Sequence, residues 1–196
     1  MPHKKRMKQI LDAGVRLYRE KGFDETSVQD ICDACGITKP TFYKYVSSKE
    51  EVLRHFYDGT MEDLLTRLQE LEDEGNYWGM IWSGFTNTSN YSVNLGWELL
   101  SKYLIMNFHE HTVTARYNAA GRERTTEAIR LAQQAGQIRN MSDPDTLFMV
   151  LKNIGLSMML KWVMTRESFD YYSTYYKTLE SALLPDYDVI HQACGK

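Results

Sequence analysis

Between Gly22 and Ser48 the chain stops and restarts a helix three times in under thirty residues, and that punctuation limits what it can fold into. Gly22 follows an apolar stripe of Met7, Ile10, Leu11, Gly14, Leu17 and Tyr18 at spacings of three and four. That periodicity predicts a helix from about Lys4 to Lys21, ended by a glycine that can turn left-handed. Thr26 reads as the next N-cap, with Gln29 three residues on as its capping-box partner. The second helix carries Ile31, Cys32 and Cys35 inward and stops at Gly36. Thr38 caps a third helix, and Pro40 suits a first turn whose N–H groups have no intrahelical partner. Ser48 caps a fourth, with Glu51 at the capping-box position. That helix is expected to run to about Glu72 on Val52, Leu53, Phe56, Leu64, Leu65, Leu68 and Leu71. The short glycine turn in "DACGITKPT" sets helices two and three in the layout of a helix-turn-helix, whose second helix enters a DNA major groove.

The rest reads as helical too, so the fold class is all-α. "EDEGNYWG" (Glu72 to Gly79) marks a break, followed by an aromatic-rich helical region that includes Tyr91 and Tyr117. A helix is expected over roughly Thr112 to Ala135, ended by Gly136. Asp143 and Pro144 start another, to about Thr165, and Ser168 starts a last one that ends before Pro185. The expected domains are 1–47, a helix-turn-helix DNA-binding domain, and 48–196, a helical ligand-binding and dimerisation domain joined to it by the long fourth helix.

Charge is unevenly placed. The chain of 196 residues has a formal net charge of −3. Met1 to Phe56 hold 11 Lys and Arg against 8 Asp and Glu, while the remainder is acidic. A basic end on an acidic chain suits a polyanion partner. Three cysteines make no disulfide framework. The basic start lacks the apolar core of a signal peptide, and no apolar run looks long enough to span a bilayer. A cytoplasmic protein is expected.

The pieces "YREKGFDETSV", "ACGITKPTFYKYV" and "SKEEVL", in this order and spacing, resemble the DNA-binding region of the TetR family of bacterial transcriptional regulators. "AQQAGQIRNMSDPDTLFMVL" resembles that family's junction into its penultimate helix. The middle matches only in being helical. Gly14, Cys32 and Cys35 stand where the family commonly has alanine or another small residue, and Val46 where a bulkier aromatic is frequent.

On the third helix Phe42 and Val46 lie one turn apart and should face the core. Lys39, Thr41, Lys44 and Tyr45 are left for the groove, with Tyr43 at its edge. Lysine can donate to guanine O6 and N7, and a threonine methyl can meet a thymine methyl. Tyrosine hydroxyls can donate to phosphates, which set register. The resemblance makes Tyr43 and Lys49 phosphate contacts, and Thr38, Lys39, Thr41 and Tyr45 candidates for base or backbone contact. Thr26 and Ser27 could bond a phosphate at a helix start. Gln29 either completes its capping box or reaches the groove.

The resemblance further implies a small-molecule effector in the aromatic middle, with Trp82, Phe85, Trp97, Tyr103, Met106 and Phe108 as candidates. It implies a homodimer through the last two helices. Two stripes fit that role: Phe148, Leu151, Gly155, Met158 and Trp162, and Phe169, Tyr172, Tyr176, Leu179 and Leu183. The function implied is a ligand-responsive repressor of a palindromic operator. An activator is the alternative, and a nonspecific DNA-binding protein a more distant one. The sequence offers no nucleophile–base pair, metal set or phosphate-binding glycine loop, so neither enzyme activity nor a cofactor is expected. "CDAC" reads as packing, and the histidines of "HEH" (His109 to His111) diverge on a helix.

Overall fold

The structure is a computed structural model that describes residues 2–58, 61–109 and 119–194; within these, the side chains at 2, 56–58, 61, 62, 88, 90–92, 95 and 107 are not described. Phe56, Tyr91, Thr112, Tyr117 and the last two residues of "HEH" therefore lie outside the described side chains. Packing divides the chain into two units: Met1–Gly59 with Glu98–Thr114, and Thr60–Trp97 with Ala115–Lys196.

The first unit is built on α1 (Pro2–Lys21), α2 (Val28–Cys35), α3 (Lys39–Phe42) and α4 (Lys49–Asp58). The expected stripe of α1 supplies its floor: Ile10, Leu17 and Tyr18 are buried, and α1 packs on both α2 and α4. Gly14 permits the α1–α4 approach, because a Cβ there would lie 2.6 Å from Val52 Cγ1. Gly22 (φ 89°) and Gly36 (φ 61°) take the left-handed conformation that ends α1 and α2. Ile31, Cys32, Cys35, Phe42, Val46, Val52 and Leu53 close the core. Both cysteines are buried packing residues.

The second unit holds α5 (Met61–Asp73), the first part of α6 (Tyr77–His109), α7 (Ala119–Gln134), α8 (Pro144–Met164), α9 (Tyr171–Leu183) and α10 (Tyr187–Cys194). Among the described residues there is no strand, only an isolated bridge between Ile138 and Pro185. Helix α7 packs on α5 and α8, and α8 on α9. Gly155 allows the α8–α9 approach: a Cβ there would meet the Tyr175 hydroxyl at 2.5 Å. Gln137, buried beyond the end of α7, accepts from the Trp78 N–H and donates to the Gly75 carbonyl, fixing the turn between α5 and α6.

Several expectations are corrected. Helix α2 is capped by Ser27, not Thr26. Helix α9 is capped by Asp170, whose carboxylate accepts from the Ser173 N–H, not by Ser168. Helix α9 ends before Pro185 as expected but is not the last, since α10 follows. The expected single helix from Ser48 to Glu72 is described as α4 and α5, with Gly59 and Thr60 outside the description. Helix α8, 21 residues long, is apolar enough to cross a bilayer by length and composition, contrary to the sequence reading. Here it packs between α7 and α9 and buries Leu147, Phe148, Leu151, Gly155 and Trp162.

Candidate nucleic-acid interface

Helix α3 is a single turn, held at both ends. At its start Thr38 Oγ1 accepts from the Thr41 N–H at 3.4 Å, and the two hydroxyls lie 3.0 Å apart. Pro40 sits in the first turn. At its end the ladder tightens: Lys44 N–H donates to Thr41 O and Tyr45 N–H to Phe42 O. Phe42 is fully buried and Val46 nearly so, as their spacing predicts. With the helix pinned on those two side chains, Lys39, Tyr43 and Lys44 stand exposed on its other side, Tyr43 at 54%. Thr38 is exposed and Thr41 partly so. Tyr45 is partly covered by the His3 ring, 4.6 Å between centroids.

Helix α2 brings Ser27 and Gln29 to the surface. The capping box is Ser27 with Asp30: Asp30 N–H donates to Ser27 Oγ at 3.2 Å, and Ser27 N–H to Asp30 Oδ2 at 2.8 Å. Lys21 adds an ion pair to Asp30 at 2.6 Å. That hydrogen bond, with those from Ser27, holds the Asp30 carboxyl well below the usual range. Gln29 is therefore released from capping and donates along the helix to Asp33 Oδ1 at 2.7 Å. Its expected capping role is thereby overturned.

Two expected contacts are corrected. Thr26 has no exposed surface, and its hydroxyl donates to Gly22 O at 2.8 Å, so it cannot meet a phosphate. Lys49 points inward. Its ammonium donates to the carbonyls of Phe23 (2.9 Å), Asp24 (3.2 Å) and Thr26 (2.9 Å) and lies 4.7 Å from the Phe23 ring centre. An ammonium has three donors, and three carbonyls take them. Tyr18 Oη donates to the Lys49 carbonyl at 2.7 Å, tying the start of α4 to α1. Burial pushes the Tyr18 hydroxyl pKa far up, so it stays a donor. This clasp around the turn from Phe23 to Thr26 was missed in the sequence. Its signal was slight: a lysine beside a helix cap reads as a phosphate ligand whether or not carbonyls face it. Ser48 caps α4 as expected, accepting from the Glu51 N–H, but the Glu51 carboxylate turns to the Ser47 N–H and hydroxyl instead.

The other predicted sites lie elsewhere. Trp82, Phe85 and Trp97 belong to the second unit; Tyr103, Met106 and Phe108 belong to the first. Phe85 is buried and stacks on Phe148 at 5.5 Å, while Trp82 meets the Tyr176 ring edge-on at 5.0 Å. Tyr103 is buried, Met106 partly so, and Phe108 is 67% exposed. A groove of about 310 Å³ runs along Arg122, Asp145, Thr146, Phe148, Met149, Lys152 and Asn153, and none of the six candidates lines it.

The two expected interface stripes are largely interior. Phe148, Leu151, Gly155, Trp162, Leu179 and Leu183 are buried within the chain, and Met158, Phe169, Tyr172 and Tyr176 are partly covered. Tyr172 Oη donates to the Ser89 carbonyl, and Tyr176 Oη is within 3.0 Å of Tyr187 Oη. The apolar residues that α8 leaves at the surface are Met149, Val150, Leu156 and Met164.

Residues 10–56 match the family described as bacterial regulatory proteins, tetR family. KstR2 of Rhodococcus jostii, a helix-turn-helix transcriptional repressor, is 24% identical over 154 residues, 76% of this chain and 75% of that protein. YuxN of Bacillus subtilis, a helix-turn-helix transcriptional regulator, is 35% identical over 77 residues; this match covers 37% of the chain and spans a quarter of YuxN. Among solved structures, Thermus thermophilus FadR, a TetR-family repressor in complex with lauroyl-CoA, shares the fold with a TM-score of 0.65 at 19% identity, over 90% of this chain and 92% of that one. These relatives are regulators of transcription, not enzymes. Residues 10–56 thus carry the N-terminal domain of the tetR family of bacterial regulatory proteins, and the chain as a whole shares the fold of the TetR-family repressor FadR.

Proposed function

We propose that the chain is a cytoplasmic, homodimeric repressor that a small-molecule effector releases from a palindromic DNA operator. The observation that carries this reading is α3 itself: a capped turn anchored on Phe42 and Val46 that holds Lys39, Tyr43 and Lys44 outward. Lys39 and Thr41 read bases, Tyr43 and Lys44 meet phosphates, and Ser27 and Gln29 add contacts from the start of α2. Residues 1–47 are the DNA-binding domain, and 48–196 bind effector and partner. Repression is supported by the repressor relatives KstR2 and FadR. An apolar effector is supported by the aromatic second unit and by the acyl ligand in the FadR complex. The face of α8 carrying Met149, Val150, Leu156 and Met164 meets its twofold copy, because it is the apolar surface that the fold leaves uncovered there. Two recognition helices then read half-sites about 34–36 Å apart, or a multiple of that.

The test is selection of bound duplexes from a random pool, followed by fluorescence anisotropy. An inverted repeat should emerge, with Lys39→Ala changing the preferred bases and Tyr43→Phe weakening all sequences alike. A pool that shows no enrichment, or binding that ignores sequence at low salt, would overturn the reading.

A further inference from the structure

Helix α6 is interrupted. Gly96 has φ 82° and ψ 160°, a region that in practice only glycine occupies, and the helix resumes at Trp97. The packing boundary falls at the same place: residues up to Trp97 belong to the second unit, and those from Glu98 to the first. A restarted helix exposes N–H groups without intrahelical partners. One of them, on Trp97, donates to Glu167 Oε1 at 3.0 Å. The Arg166 guanidinium lies 5.2 Å from a Trp97 ring centre. Arg166 and Glu167 link α8 to α9 with successive positive φ angles, 49° and 63°, a conformation that side chains with a Cβ disfavour. The link is held from behind by Glu167 N–H donating to the carbonyl of buried Trp162. A constrained link thus presents a carboxylate to the one opened point of a long helix.

Beyond the break, the same helix carries Lys102. Its ammonium donates to Asp24 Oδ2 at 2.5 Å, within the first unit. This hydrogen bond keeps the Asp24 carboxyl below its ordinary range. Asp24 lies in the turn that Lys49 clasps, immediately before the helix-turn-helix pair. One stretch of helix therefore runs from the Glu167 contact to Lys102, whose side chain reaches the turn that precedes α2.

We propose that Glu167 and Arg166 form a latch on the Gly96–Trp97 break of α6, and that its closure sets, through Lys102 and Asp24, how firmly the turn before the helix-turn-helix is held. The consequence for DNA rests on the function proposed above; the coupling itself does not.

Hydrogen–deuterium exchange on the full chain tests it, in the wild type, Glu167→Ala, Lys102→Ala and the double variant. Glu167→Ala should raise exchange across Trp97–Leu100 about tenfold, the loss of one charge-assisted hydrogen bond. It should also raise exchange across Gly22–Ser27 several-fold. Lys102→Ala should speed Gly22–Ser27 while leaving Trp97–Leu100 unchanged, and the double variant should be no faster over Gly22–Ser27 than Lys102→Ala. Unchanged Trp97–Leu100 in Glu167→Ala overturns the latch. Faster Trp97–Leu100 with unchanged Gly22–Ser27, or additive effects in the double variant, overturns the route. Should Glu167→Ala fail to fold by circular dichroism, Glu167→Ser, which shortens the side chain out of reach of Trp97 N–H, carries the same comparisons. Anisotropy with a duplex enriched from the random pool is measured in parallel. Failure of the wild type to bind it would sink the DNA reading and leave the exchange result standing.

Discussion

Lys49 and Thr26 show how a side chain's chemistry can be read correctly and its direction wrongly. Both sit at helix starts, where an anion is a natural partner, yet both serve backbone carbonyls of the first unit. Nothing in a linear sequence tells a phosphate oxygen from a carbonyl oxygen as the acceptor; the fold of the turn from Phe23 to Thr26 decides it. Lys49→Ala should therefore lower stability by about 1.5–3 kcal/mol, the range for hydrogen bonds to a charged group. Urea denaturation of the full chain measures this, and an unchanged midpoint would return Lys49 to the surface. Asp30 and Glu51 give the same region a pH dependence. Lys21 and Ser27 hold the Asp30 carboxyl low, and the Ser47 hydroxyl and N–H lower that of Glu51. Folded values below the ordinary 3.8 and 4.5 mean that the unfolded chain takes up protons first as the solution is acidified. This stabilisation is complete above about pH 5 and is lost as pH falls through the folded values. Melting temperatures from pH 7 to pH 3 should decline less steeply in Asp30→Asn than in the wild type.

At the level of the helix, three of the caps were legible. Thr38 before Pro40, Ser48, and Asp143 before Pro144 all start helices as read. At Thr26 and Ser27 the register slipped by one, because T-x-x-Q and S-x-x-D both fit a capping box. The Ser27 pairing prevails, with Thr26 turned into the core. The apolar stripes failed for another reason. Helix α8 is apolar on nearly every side, so three-and-four spacing marks more than one face, and the stripe chosen is the one facing the core. Burial was invisible without the neighbours α7 and α9. The glycines are informative here. Gly155 lies against the Tyr175 hydroxyl, which donates to the Leu151 carbonyl, and Gly14 lies against Val52. Gly155→Ala and Gly14→Ala should each cost about 1–3 kcal/mol, the range for overpacking a close helix contact. Chemical denaturation reads both, and a loss below the error of the method would show that the helices can slide apart freely.

For the whole chain, the all-α fold and the position of the helix-turn-helix were legible because both rest on local signals. The division of α6 between two packing units was not. It depends on what Glu98 onward packs against, and "NLGWELL" gives only a glycine to mark the break. For the same reason the aromatic residues of the middle looked like one set, though they belong to two units. Assembly follows from the surface that remains. Leu156→Asp would place a charge on the exposed apolar face of α8 without disturbing the buried one. It should convert a dimer to a monomer in sedimentation velocity while leaving the helical content of the chain intact. A wild-type chain that sediments as a monomer at micromolar concentration would remove that face from the proposal.

The inward lysine also bears on how the protein would respond to its ionic surroundings. Each phosphate neutralised on DNA releases condensed cations, steepening the dependence of affinity on salt by about 0.9 per contact on a log–log scale. An ammonium enclosed by three carbonyls releases none. Two copies on one operator would thus have a slope shallower by roughly 1.8 than a pair whose equivalent lysines reached the backbone. Occupancy would then depend less steeply on the surrounding potassium concentration.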